Sequence, residues 1–190
     1  GTALYIRPFI FGDEVSFSVL PAKHYKFMII LSPTGSYYAA NDGGLSTTRI
    51  YVEDEYIRAA HGGTGYAKVG GNYGGICDFR QISFALPKQR CIRRIGDDVY
   101  TASLASGSIL PGITRDSVIQ LLKKWGITVH EGKLSIDDVV EASKNGTLKE
   151  IFASGTAAVI SPIGCLHYKG EDYQVADGKV GAYAQNLYDN

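Results

Sequence analysis

Lys68-Val69-Gly70-Gly71-Asn72-Tyr73, entered through Gly62-Gly63-Thr64-Gly65, puts a reactive amine where the backbone is almost bare of side chains. Glycine lacks a β-carbon, so a planar ligand can approach the main chain closely at such a loop. Lysine is also the side chain that forms imines with carbonyl compounds. Taken singly, a lysine in a glycine loop is ordinarily a solvated surface charge. The reading of Lys68 therefore depends on what surrounds it.

Downstream, Ile109-Leu110-Pro111-Gly112-Ile113-Thr114-Arg115 turns into a helix whose Val118, Leu121, Leu122 and Trp125 fall at helical spacing, with Gly126 ending it. The start of that helix leaves backbone N–H groups without intrahelical partners near Ile113 and Thr114, a place suited to a phosphate and equally to water or a cap. Ser135 with Asp138 forms a capping pair for a second helix reaching to about Asn145-Gly146. Ile151 to Pro162 reads as strand, tight turn, strand, and the small residues from 153 to 158 bring backbone amides close to a neighbour. A short strand pair around His167-Tyr168 and Tyr173-Gln174-Val175 follows, then a helix from Val180 to Tyr188.

Upstream, Leu4 to Phe11 reads as a strand with Tyr5 and Arg7 on one face, either two groups meeting one ligand or the polar side of an edge strand ended by Pro8. Tyr25 to Leu31 reads as a second, more buried strand. Turn-forming residues then run from Ser32 to Gly44, which predicts a linker and a domain boundary near residue 40. Residues 1–40 form the first part, 41–190 the second. Arg49 to Val52 is a short strand leading toward the glycine loop.

The chain of 190 residues balances 19 basic against 19 acidic side chains, so no global field draws it to nucleic acid or to a membrane surface. Its apolar run Phe27-Met28-Ile29-Ile30-Leu31 is far shorter than the roughly 20 residues a membrane-crossing helix needs. Three cysteines and four scattered histidines have no metal-ligand spacing, which fits a reducing cytoplasm and no structural metal. Gly1-Thr2-Ala3-Leu4 runs straight into a strand and reads as a chain that begins mid-protein. Residue patterns alone thus describe a binder of a phosphorylated small molecule on a mixed α/β framework.

The assembled blocks closely resemble the branched-chain amino acid aminotransferases, fold-type IV (class IV) enzymes that use pyridoxal 5'-phosphate. The resemblance is carried, in family order, by Leu4-Tyr5-Ile6-Arg7-Pro8, Ser32-Pro33 with Gly35 and Tyr37, Gly62-Gly63-Thr64-Gly65, Lys68 to Gly74, Leu110 to Arg115, and Ser154-Gly155-Thr156-Ala157-Ala158. It implies an α/β (α+β mixed) fold: the large domain, a pseudo-barrel of mixed strands with flanking helices, plus C-terminal strands of the small domain. By resemblance, Lys68 is the catalytic residue. It would hold the cofactor aldehyde as an imine, give it up to the substrate amine, and move a proton between the substrate Cα and the cofactor C4′. Tyr73 would hydrogen-bond the cofactor's phenolic oxygen, and the amides of Ile113 and Thr114 would hold its phosphate. Thr156 and Ala157 would bind the substrate carboxylate, with Tyr5, Arg7 and Tyr37 lining the pocket. The implied substrates are leucine, isoleucine or valine with 2-oxoglutarate, and the implied assembly is a homodimer.

Ile76 to Arg94 departs from the family pattern. It carries five basic residues and one acid, is shorter than the family's segment, and shows no helical or strand periodicity. It reads as a stretch translated out of frame in preference to a nucleic-acid patch, and it replaces the family's glutamate for the pyridine nitrogen. The likeness resumes at Ile95. Two further readings follow: a catalytically impaired remnant of such an enzyme, and a phosphate-ligand module without covalent chemistry.

Overall fold

The computed structural model describes residues 3–35, 44–54, 56–76, 91–155 and 159–190, with the side chains of 74–76 outside that description. Its contacts divide the chain into two units, Gly1–Tyr37 and Tyr38–Asn190. The predicted linker boundary near residue 40 lies outside the described residues.

In the first unit, β1 (Ala3–Gly12) pairs antiparallel with β2 (Tyr25–Thr34). The register sets Tyr5 opposite Ser32 and Arg7 opposite Ile30, and the strand passes through Pro8 without ending there. Leu4, Ile6, Ile10, Phe27, Ile29 and Leu31 share the opposite face, and all are exposed. The buried character expected of Tyr25 to Leu31 is therefore not observed. A two-stranded ribbon has two faces, and within this unit no third described element covers either.

The second unit is built on a seven-stranded mixed sheet. Its strands are β3 (Thr48–Tyr51), β4 (Cys91–Ile95), β5 (Asp98–Ala102), β6 (Val129–Gly132), β7 (Leu148–Gly155), β8 (Val159–Tyr168) and β9 (Glu171–Gln174). The order is β3-β8-β7-β4-β5-β6, with β9 also paired to β8. β3–β8 and β5–β6 are parallel pairs, and the rest are antiparallel. Among the described residues, three α-helices cover the sheet: α1 (Ile113–Lys124), α2 (Ile136–Lys144) and α3 (Ala182–Asp189). Val139 and Ala142 of α2 pack with Ile50, Leu148, Ile151, Ile163 and Leu166 in one core. Val118 and Leu122 of α1 join Ala184 and Leu187 of α3 over Ile92, Val99, Phe152 and Ile160 in the other. Burying those side chains from water is the main force holding the layers together.

The sequence signals for the helices hold in detail. Gly126 adopts φ +77° just beyond α1, a left-handed conformation that closes the helix at little cost only for glycine. Trp125 marks the C-terminal end of α1 at the edge of its buried stripe and stays more than a third exposed. At α2, Ser135 Oγ accepts from Asp138 N at 3.0 Å while the Asp138 carboxylate accepts from Ser135 N at 2.9 Å, a reciprocal capping box. Those bonds hold the Asp138 carboxyl below its ordinary range. A depressed folded-state pKa contributes stability above the unfolded value of about 3.9, and loses it as pH falls through the lower folded value. Ser135→Ala is thus expected to lower the thermal midpoint by about 2–4 °C at neutral pH. The difference from the parent should shrink below about pH 4, which thermal scans at the two pH values check.

The structure corrects one reading of the atypical segment. Cys91–Ile95 is an interior strand hydrogen-bonded to both β5 and β7, with Cys91, Ile92 and Arg93 buried. Two adjacent arginines hid the strand pattern. Arg94 Nη1 reaches Glu150 Oε1 at 3.2 Å, so its charge is matched inside the fold. The departure from regular structure expected over Ile76 to Arg94 therefore ends before Cys91. Gly70–Ile76 is a 3-10 helix, and residues 77–90 lie outside the described residues. Among the described residues, no helix is long and apolar enough to cross a membrane.

Candidate active site

Lys68 sits between two short 3-10 segments, Thr64–Tyr66 and Gly70–Ile76, and its side chain is exposed. The backbone around it is folded on itself: Gly63 N donates to Ala60 O at 3.1 Å, Ala67 N to Thr64 O at 2.9 Å and Asn72 N to Val69 O at 3.2 Å. Two buried polar side chains fix this loop from beneath. Asn72, 2 % exposed, donates from Nδ2 to Thr64 O at 3.0 Å and to Ala67 O at 2.9 Å, and its Oδ1 accepts from Thr64 Oγ1 at 2.7 Å. Arg58, 8 % exposed, donates to Gly65 O at 3.3 Å, to Ser108 O at 3.2 Å and to Ala67 O at 3.5 Å. Most buried polar side-chain atoms in folded proteins carry such partners.

The Arg58 bonds also join the lysine loop to the segment before α1. Gly65 is buried, and a β-carbon there would collide with the backbone of Gly107 and Ser108. Since those atoms are main chain, only glycine permits the two loops to touch. From Ser108 the chain reaches Gly112, whose own N–H donates to Leu110 O at 2.8 Å, and then enters α1 with no side-chain cap. Ile113 is 86 % exposed. Uncapped amides at the start of a twelve-residue helix, with the positive end of its dipole, are chemically suited to a phosphate. Arg115 anchors this helix start, donating to Ala102 O at 2.7 Å and to Glu131 Oε2 at 2.9 Å.

The structure distributes the remaining predicted residues as follows. Tyr73 lies in the 3-10 segment that follows Lys68 and is 37 % exposed. Thr156 and Ala157 lie outside the described residues, between Gly155 and Val159, which pair with each other at the ends of β7 and β8. Tyr5 and Arg7 belong to the first unit and share a face of β1, where the Arg7 guanidinium donates to the Tyr5 hydroxyl and lies 5.0 Å from its ring centre. Tyr37 is outside the described residues. Lys68, Tyr73, Ile113 and Thr114 thus fall within one unit, and Tyr5 and Arg7 in the other.

Comparison with known proteins bears on this arrangement. Residues 91–164 match the model of the amino-transferase class IV family. Over its whole length the chain is 42% identical to branched-chain-amino-acid transaminase 1 of Bacillus subtilis, and it spans 58% of that relative. The alignment runs over 208 positions against the chain's 190 residues, so at least 18 positions of that relative have no counterpart here. A crystal structure of a branched-chain amino acid aminotransferase from Escherichia coli superimposes with a TM-score of 0.73 at 30% identity, covering 97% of this chain and 63% of that one. The chain is thus similar to branched-chain aminotransferases over nearly its whole length, with the class IV family match lying over residues 91–164. A branched-chain aminotransferase from the thermophilic archaeon Thermoproteus uzoniensis, solved with norvaline, has the same fold, with a TM-score of 0.71 at 21% identity over 98% of this chain and 62% of its own. The family match begins at residue 91 and so includes all of β4, four residues earlier than the likeness expected from Ile95.

The class IV resemblance in sequence directed attention to the exposed groups and missed what holds them. Arg58, Asn72 and Arg115 are buried polar residues, a type that sequence patterns assign to the surface. The one available signal was position: Arg58 and Asn72 flank the glycine loop on either side, and Arg115 directly follows the proposed phosphate amides.

Proposed function

We propose that this protein moves the amino group of leucine, isoleucine or valine to 2-oxoglutarate, using pyridoxal phosphate bound covalently to Lys68. The observation that carries the reading is the union of an exposed amine and an uncapped helix N-terminus through the Gly65–Ser108 contact and the Arg58 bridge. That donor set fits the cofactor: an amine for its aldehyde, a phenol at Tyr73 for its ring oxygen, and the Ile113 and Thr114 amides for its phosphate. The bound cofactor supplies the electron sink for the carbanion. The chain's residues do the rest. Lys68 Nζ would hold the cofactor aldehyde and carry a proton to and from the substrate Cα. By resemblance to the family, Thr156 and Ala157 would receive the substrate carboxylate, and Tyr5, Arg7 and Tyr37 would be further substrate-binding residues.

The relatives support the transaminase reading over the impaired-remnant and non-covalent readings, since they are named as branched-chain transaminases. A homodimer in the cytoplasm belongs to the same reading, by resemblance to the family. The test incubates the chain with pyridoxal phosphate, reduces it with borohydride and maps the labelled peptide. Label on Lys68, together with glutamate formed from leucine and 2-oxoglutarate, is the expected result. A chain labelled only at other lysines would refute the proposal.

A further inference from the structure

The peptide that joins Ala67 to Lys68 is held more firmly than any exposed loop peptide requires. Its carbonyl accepts from Asn72 Nδ2 at 2.9 Å and from Arg58 Nη2 at 3.5 Å. Because a peptide unit is planar, fixing that carbonyl also fixes the direction of the Lys68 N–H and the placement of its Cα. The amide of Asn72 is itself oriented: Thr64 Oγ1 donates to Oδ1 at 2.7 Å, which leaves Nδ2 to bridge Thr64 O and Ala67 O. A buried amide satisfied at both ends is a rigid strut. It lies four residues past the lysine, within a glycine-rich run whose own backbone has little intrinsic stiffness.

We infer that Asn72 is a positioning residue for Lys68: its side chain, acting through the Ala67 carbonyl, holds the lysine where a phosphorylated aldehyde anchored at the start of α1 can reach it. This rests on the cofactor reading of Lys68 given above. Asn72 touches neither substrate nor cofactor in this role. Arg58 completes it by tying the same carbonyl to Ser108 O, so that the amine and the phosphate amides are placed by one connected set of bonds.

The variant Asn72→Asp keeps the size of the side chain and the bond from Thr64 but removes both donors. The full chain and the variant are incubated with graded pyridoxal phosphate, reduced with borohydride, and their labelled peptides quantified. The expected result is that half-maximal labelling of Lys68 needs about tenfold more pyridoxal phosphate in the variant. Labelling of the exposed helix lysines Lys123 and Lys124 should not change. A purely structural loss would shift all three lysines together with the unfolding midpoint. Should Asn72→Asp not fold, Thr64→Val removes only the hydroxyl that orients the amide, and about a threefold rise confined to Lys68 is expected. Unchanged Lys68 labelling in a folded variant whose parent is labelled there overturns the positioning role alone. No label on Lys68 in the parent overturns the cofactor reading and the positioning role with it.

Discussion

Lys68→Ala is expected to abolish the borohydride-fixed label at position 68, leaving that of the exposed Lys123 and Lys124 unchanged, and to reduce amino transfer by about 10²–10⁴-fold from the lost proton transfer alone. The side chain is exposed and makes no part of either core, so the fold should survive the change. Near-ultraviolet and far-ultraviolet circular dichroism of parent and variant should coincide. Lys68→Arg is the sharper control. A guanidinium stays protonated and cannot act as the amine nucleophile, so the charge is kept while the chemistry is lost. Covalent label persisting at other sites with turnover unchanged in either variant would show that Lys68 is not the reacting amine.

Glu150→Ala is expected to lower unfolding free energy by about 3 kcal/mol. Glu150 is 5 % exposed and accepts at once from a guanidinium and from two backbone amides. Its carboxylate takes Arg94 Nη1 at 3.2 Å, Tyr183 N at 3.2 and 3.0 Å, and Ala184 N at 3.1 Å. The two amides lie at the start of α3, whose N-cap residue Gly181 has no side chain to cap them. A β-carbon at Gly181 would strike the Glu150 carboxylate, so the glycine is what admits it. Arg94 also lies over the Tyr183 ring, 4.1 Å from its centre. Removing the carboxylate therefore takes the acceptor from two helix amides and the buried partner from Arg94, which keeps Asp97 at 3.7 Å and Gly96 O at 3.2 Å. Glu150→Gln keeps an acceptor for the amides and loses the charge, so its effect should be smaller. Urea unfolding followed by the single tryptophan, Trp125, measures both. A midpoint unchanged in Glu150→Ala would show that the carboxylate is not what fastens α3.

The same residue explains much of what was legible and what was not. Elements whose side chains obey one periodicity were readable from sequence: α1 from Val118 and Leu122, α2 from its capping box, β7 and β8 from their apolar runs. Strand β4 was hidden because Arg93 and Arg94 break its pattern, and the buried partner of Arg94, Glu150, arrives from β7, 56 positions along the chain and beyond any local window, whereas its nearby contacts are Asp97 and Gly96 O. The exposure of β2 was misread for the converse reason: its run of apolar residues is what a covered strand shows, and the covering layer is not a property of the strand. At the candidate site, the glycine loop announced Lys68, while Asn72 and Arg58 carried no apolar or charge pattern that separates a buried strut from a surface side chain.

Because the acceptor for the first amides of α3 lies on β7, 33 and 34 residues earlier, this helix acquires its cap only from a strand already in place. Eight residues are too few to hold a helix in water without such help. Chain synthesis delivers Glu150 before Tyr183, so the order of emergence matches the order that assembly needs. The carboxylate that receives the first amides of α3 also receives Arg94 of β4, so one side chain fastens the last helix to two neighbouring strands.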